Sequence, residues 1–171
     1  MYYFVDCFVS PATYEFYVCT NNNSNIIELT KADYIRNLLK NLLTETPSDY
    51  KPITENSNIL RFRLTRFNND LPDIRKFNYL SLEAQRLIHR ELEKLFKSVF
   101  HNYVLAFCRG GGYPTAAIND FCEVYNITLE NINFEMLKKS WDRSEQKKIY
   151  TEEKKTKKSL PHSVPKKITK K

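Results

Sequence analysis

The chain has 171 residues and a net charge of +7, from 27 Lys and Arg against 20 Asp and Glu. Residues 151–171 hold eight lysines and two glutamates, a net +6 that leaves only +1 for residues 1–150. A basic balance usually marks a polyanion binder, but here it describes a tail on a nearly neutral body. A hydrophobic content of 42% and an aromatic content of 13% suit one globular body of about 150 residues, large enough to fold without disulfides or metals.

Residues 2–9 and 14–19 are aromatic and β-branched runs separated by Ser10-Pro11-Ala12-Thr13, a strand–turn–strand pattern. The amino-terminal run lacks a basic flank and is broken by Asp6 and Pro11, so it does not read as a signal segment. No window reaches the ~18–20 apolar residues of a membrane span. A soluble, cytoplasmic protein is expected. Cys7, Cys19, Cys108 and Cys122 form no CxxC pair and have no histidine at zinc spacing, so buried free thiols are expected. Cys7 and Cys19 facing each other across a hairpin are the one intramolecular bridge that the pattern admits.

Asn21 to Asn25 reads as a turn-rich loop, and Ile26-Ile27-Glu28-Leu29 as a short third strand. Thr30 suits a helix N-cap, with Asp33 three residues on. Ile35, Leu38, Leu39 and Leu42 then line one face of a helix over about residues 31–44, closed by Pro47. Residues 46–58 are polar loop. Ile59 to Phe67 alternates, with Leu60, Phe62 and Leu64 inward and Arg61, Arg63 and Thr65 outward. The first 67 residues thus predict a small antiparallel sheet with one helix on it, followed by a linker over 68–81.

Ser81 and Glu83 open a long helix over about 82–108, roughly 40 Å. Ala84, Ile88, Leu92, Leu95, Phe96, Val99, Phe100, Tyr103, Ala106 and Phe107 form its apolar stripe, and Gly110-Gly111-Gly112 ends it. Pro114 and Thr115 start the next helix, with Ile118, Phe121, Cys122 and Tyr125 on its apolar face. A break over 126–133 precedes a last helix carrying Phe134, Leu137 and Trp141 at i, i+3 and i+7. Residues 151–171 are expected to be a disordered Lys-rich tail, because they cannot bury enough surface to offset chain entropy. The fold class is therefore α+β: a sheet lobe, then a three-helix region over 82–150 with a long central helix.

Residues 115–148 read as helix, turn, helix. Lys138, Lys139, Arg143, Lys147 and Lys148 lie off the apolar face of the last helix, as in a DNA-binding helix-turn-helix that docks one face and offers charge on the other. Asn131 and Asn133 stand where bases are read, beside Glu135. The same hairpin also reads as plain closure of a core, with solvated charges. Ala117-Ile118-Asn119-Asp120-Phe121 through Ile127-Thr128, then Phe134-Glu135-Met136-Leu137-Lys138-Lys139 through Arg143, resembles the end of many small uncharacterised phage and mobile-element proteins of gut bacteria. The resemblance spans about 30 residues. It implies a small accessory protein of a mobile element, placed in the host cytoplasm if phage-encoded, and transfers no catalytic residue.

Arg61, Arg63 and Arg66 form a basic strand edge that would widen a nucleic-acid footprint, or merely discourage edge pairing. Arg109 beside three glycines suggests an anion nest, but without the ending of a P-loop. His89 and His101 point about 120° apart on one helix, and Cys108 lies about 10 Å from His101 along it, so neither a metal pair nor a Cys–His pair is expected. His162 falls in the tail, and Asp6, Asp70 and Asp73 show no paired-carboxylate pattern. The expectation is a non-catalytic DNA- or RNA-binding protein with no cofactor. The rival is a protein-interaction module, self-associating or a virion component, adaptor or inhibitor, presenting Tyr2, Phe4, Phe8 and Tyr17 or the long helix.

Overall fold

β1 (Tyr3–Phe8) pairs antiparallel with β4 (Ile59–Leu64), setting Val5 against Phe62 and Cys7 against Leu60. The computed structural model describes residues 3–29, 33–49, 58–64, 73, 75–128 and 134–159, the last three without their side chains. Tyr2, Thr30, Thr65, Arg66, Asp70, Asn131, Asn133, His162 and residues 160–171 lie outside the described residues. Alternation along β4 places Leu60, Phe62 and Leu64 in the core while Arg61 and Arg63 face out, as their spacing predicts.

The stretch expected as a second strand is a helix, α1 (Pro11–Thr20). Pro11 occupies the first turn, where its missing N–H costs nothing. Ala12, Thr13 and Phe16 are buried together, a helical spacing rather than an alternating one. The helix carries the chain to the far edge of β4, where β2 (Ile26–Glu28) enters parallel, Ile27 beside Phe62. The sheet is therefore mixed, in the order β1-β4-β2, and not wholly antiparallel.

α2 (Tyr34–Leu42) packs Ile35 and Leu39 on the inner face of the sheet. It passes directly into β3 (Leu43–Glu45), which pairs antiparallel with β5 (Phe77–Leu80). Neither strand is anticipated by the pattern: β3 falls where a helix end and loop are expected, and β5 within the expected linker.

α3 (Leu82–Arg109) is the spine. The Ser81 hydroxyl accepts a hydrogen bond from the Ala84 N–H at 3.2 Å, and Glu83 stands in the first turn. Its buried residues include Ala84, Ile88, Leu92, Phe96, Phe100, Val104 and Cys108, four apart throughout. Four residues overshoot one turn by about 40°, so the stripe winds about 240° around the helix. Ala84, Ile88 and Leu92 face the sheet core, and the residues from Phe96 onward face a second core on another side. The winding corrects the predicted stripe. Leu95 (42% exposed), Val99 (38%) and Ala106 lie off it, whereas Val104, Leu105 and Cys108 are buried.

The second core joins α1 to three later helices: α4 (Pro114–Val124), α5 (Phe134–Asp142) and α6 (Glu145–Ser159). Phe16 of α1 packs edge-on against Phe96, and Phe121 of α4 packs edge-on against Phe100. Among the described residues, no helix is long and apolar enough to cross a membrane.

Candidate nucleic-acid interface

The candidate surface is built by how α4 ends and α5 docks. Asn126 adopts a left-handed backbone (φ 50) after α4. The Ile127 N–H then bonds the Cys122 carbonyl at 2.8 Å and the Asn126 N–H bonds Glu123 at 3.3 Å, a Schellman closure with Ile127 buried. α4 is tied to α3 by the Tyr103 hydroxyl, which donates to the Asp120 carboxylate; that bond pushes the Tyr103 pKa up to about 12. α4 ends at Val124 and α5 is described from Phe134, with residues 129–133 between them outside the described residues.

α5 docks through Leu137 and Trp141, which are 3% and 1% exposed, with Phe134 packed at their side. Sequence spacing identifies all three. His101 adds a link that it does not, its Nε2 lying 2.9 Å from the Ser140 hydroxyl. His101 is half-buried against α5 rather than set away from the core. Docking on this side leaves Lys138, Lys139 and Arg143 exposed, and none has an ion-pair partner among the described residues. Met136 stands exposed on the same outer side, about 20° from Arg143 in helical projection.

The other predicted contacts are engaged. The last helix breaks after Asp142 and restarts at Glu145, because the Ser144 hydroxyl accepts the Lys147 N–H at 3.1 Å and caps α6. Across that break the Lys147 ammonium reaches Asp142 at 2.6 Å, and within α6 Lys148 reaches Glu145 at 2.6 Å. Among the described residues, the C-terminal region thus holds four helices rather than three. Residues 151–159, expected as disordered tail, continue α6. Tyr150 packs on the second core, with the Lys154 ammonium 5.3 Å from its ring centre.

Arg61 and Arg63 do not form a sheet edge. β4 is the central strand, and its outward guanidiniums meet cross-strand acids: Arg61 lies 3.0 Å from Asp6 of β1, and Arg63 pairs with Glu28 of β2. Arg109 is also taken. Its Nε donates to Glu153 at 3.1 Å and a second N–H donates to the same carboxylate, holding the guanidinium more firmly protonated and α6 against the end of α3. The anion beside the glycines is thus the protein's own carboxylate.

The four cysteines are free. Cys19 lies on α1, its thiol pointing to the Val124 carbonyl at 3.7 Å, so no hairpin sets it opposite Cys7. Tyr17 also belongs to α1, not to an aromatic sheet face, and its hydroxyl donates to the Leu92 carbonyl at 3.4 Å. His89 faces Glu93 at 3.2 Å.

No family model, no curated protein and no solved structure matches the chain.

Proposed function

We propose that the protein is a non-catalytic nucleic-acid-binding accessory or regulatory protein, of the phage or mobile-element kind that its carboxyl-terminal segment resembles. The observation that carries this reading is the division of α5. Leu137 and Trp141 dock it, while Lys138, Lys139 and Arg143 stand exposed without carboxylate partners among the described residues. Phosphate contacts need only cations within reach of the backbone, and three such contacts give a binding constant that falls steeply with salt. Lys147, Lys148, Arg61 and Arg63, each already paired with an acid, contribute less to the footprint.

A salt-titrated mobility-shift assay tests it. Replacing Lys138, Lys139 and Arg143 by Gln together should lower the salt slope by about 2.7 and weaken binding to all sequences alike. A variant that binds as the parent does, while removal of residues 160–171 abolishes binding, would transfer the activity to the tail and end the α5 reading. A second reading, a protein-interaction surface, is favoured by Phe4, 41% exposed on the outer face of the sheet. A stable oligomer that retains no nucleic acid would support it.

A further inference from the structure

Half of the carboxylates and cationic side chains of α3 pair within the helix. Lys94 bonds Glu91 at 2.6 Å, and Glu93 takes both Lys97 at 3.3 Å and His89 at 3.2 Å. Arg86 and Arg90 depart from this habit: both are exposed, and neither has an ion-pair partner among the described residues. They line a cleft of about 840 Å³ between the α2–β3 junction and the head of α3, floored by Leu42, Ala84 and Leu87. Asn41 also lines it, and Glu83 is the one acid among its lining residues.

The cleft is not isolated. At 100° per residue, Arg86, Arg90, Lys97 and His101 fall within about 60° of one another, one ridge along α3, but Glu83 falls on its edge and Glu93 beside it holds Lys97, so its unpaired cations are Arg86 and Arg90 at the head. The ridge runs about 22 Å, roughly six nucleotides of one duplex strand. It ends at His101, which touches Ser140 of α5, and Arg143, just past the end of that helix with its N–H still bonded to the Lys139 carbonyl, lies about 60° round from Ser140. Both guanidiniums are solvent-exposed rather than gathered around a closed seat. Such an open pair of guanidiniums, one turn apart, suits the backbone of a long polyanion better than a small anion, which needs convergent buried donors.

We propose that this cleft is a second phosphate-binding site, in which Arg86 and Arg90 grip the backbone of a nucleic-acid strand that continues along α3 onto α5. The proposal shares its ligand class with the α5 reading but depends on different side chains, so the two can fail separately. The phosphodiester is common to DNA and RNA, and the probes separate them: duplex DNA long enough to span the ridge and α5, and single-stranded RNA of equal length. Each is titrated with salt against the full chain, an Arg86→Gln/Arg90→Gln variant, and the Lys138, Lys139 and Arg143 to Gln variant. Circular dichroism and Trp141 emission establish that each variant is folded.

The expected result is a loss of about tenfold in affinity for the arginine variant at low salt, with a salt slope lower by about two. Affinity and slope unchanged in that variant would overturn the cleft and leave the α5 reading standing. Loss in the arginine variant alone would uphold the cleft and overturn α5. Failure of the parent chain to bind either probe would overturn both.

Discussion

His101 and Ser140 form the polar link by which α3 holds α5, with imidazole Nε2 and hydroxyl oxygen 2.9 Å apart. Burial lowers the His101 pKa below its ordinary 6.5, outweighing the opposing effect of the Ser140 backbone, which accepts a hydrogen bond from the ring; the nearby Lys97 ammonium lowers it further. The folded protein therefore resists a proton that the unfolded chain accepts. Stability from this group is complete above about pH 6.5 and is lost as pH falls from there toward the folded pKa. The urea midpoint should hold between about pH 8 and 7 and drop as pH is lowered below about 6.5. A His101→Gln variant should show a smaller drop across the same window, and an equal drop in both proteins would refute the assignment.

Trp141 is the single tryptophan, 1% exposed, and its indole N–H has no hydrogen-bond partner among the described residues. Trp141→Ala should cost about 3–5 kcal/mol through the cavity it leaves in the second core. Trp141→Phe keeps a ring and removes a buried, unpaired N–H whose desolvation costs about 1–3 kcal/mol. Its loss should therefore be much smaller. Urea unfolding followed by circular dichroism orders the two, and equal losses would show that the N–H is satisfied in solution.

What the chain reveals of itself depends on how local each determinant is. α3 is legible because its cap Ser81, Glu83, most of the apolar stripe and the closing glycines all lie in it or next to it. α1 is not, because Tyr14, Phe16, Tyr17 and Val18 have high strand propensity. The contrary signal, a Ser-Pro start with Ala12 and Phe16 four apart, gains its weight only from the core it meets. The outward direction of Arg61 and Arg63 follows from alternation, but their neutralisation follows from strand order, which is non-local. The charged face shows the same limit. In an unbroken helix, residues five apart diverge by about 140°, so Asp142 and Lys147 would not meet. The Ser144 cap breaks the helix and brings them together. The signal that finds this is Ser144-Glu145, an ordinary helix start.

The cysteines should separate by burial. Burial, with the neighbouring Asp6 carboxylate, pushes the Cys7 thiol up to about 12, and burial also raises Cys108 and Cys122. A thiolate-directed reagent at neutral pH should label Cys19, which is half-exposed, well before the other three. Peptide mapping after a short pulse checks the order. Rapid labelling of Cys7 in the folded protein would show that β1 opens.

Two adjacent glycines after α3 are required for different reasons, and a mutant cycle distinguishes them. Gly111 has φ +98 and open space around its Cα, so Gly111→Ala is opposed by backbone conformation alone, at about 1 kcal/mol. Gly112 lies outside the left-handed region, but a Cβ there would stand 2.1 Å from Cε1 of Phe107. Gly112→Ala therefore fails on sterics, at about 1–3 kcal/mol. Adding Phe107→Ala should recover part of the Gly112→Ala loss and none of the Gly111→Ala loss. The coupling energy between positions 107 and 112, measured by urea unfolding, should be of order 1 kcal/mol or more. A value near zero would mean that the Phe107 ring swings clear of the turn in solution.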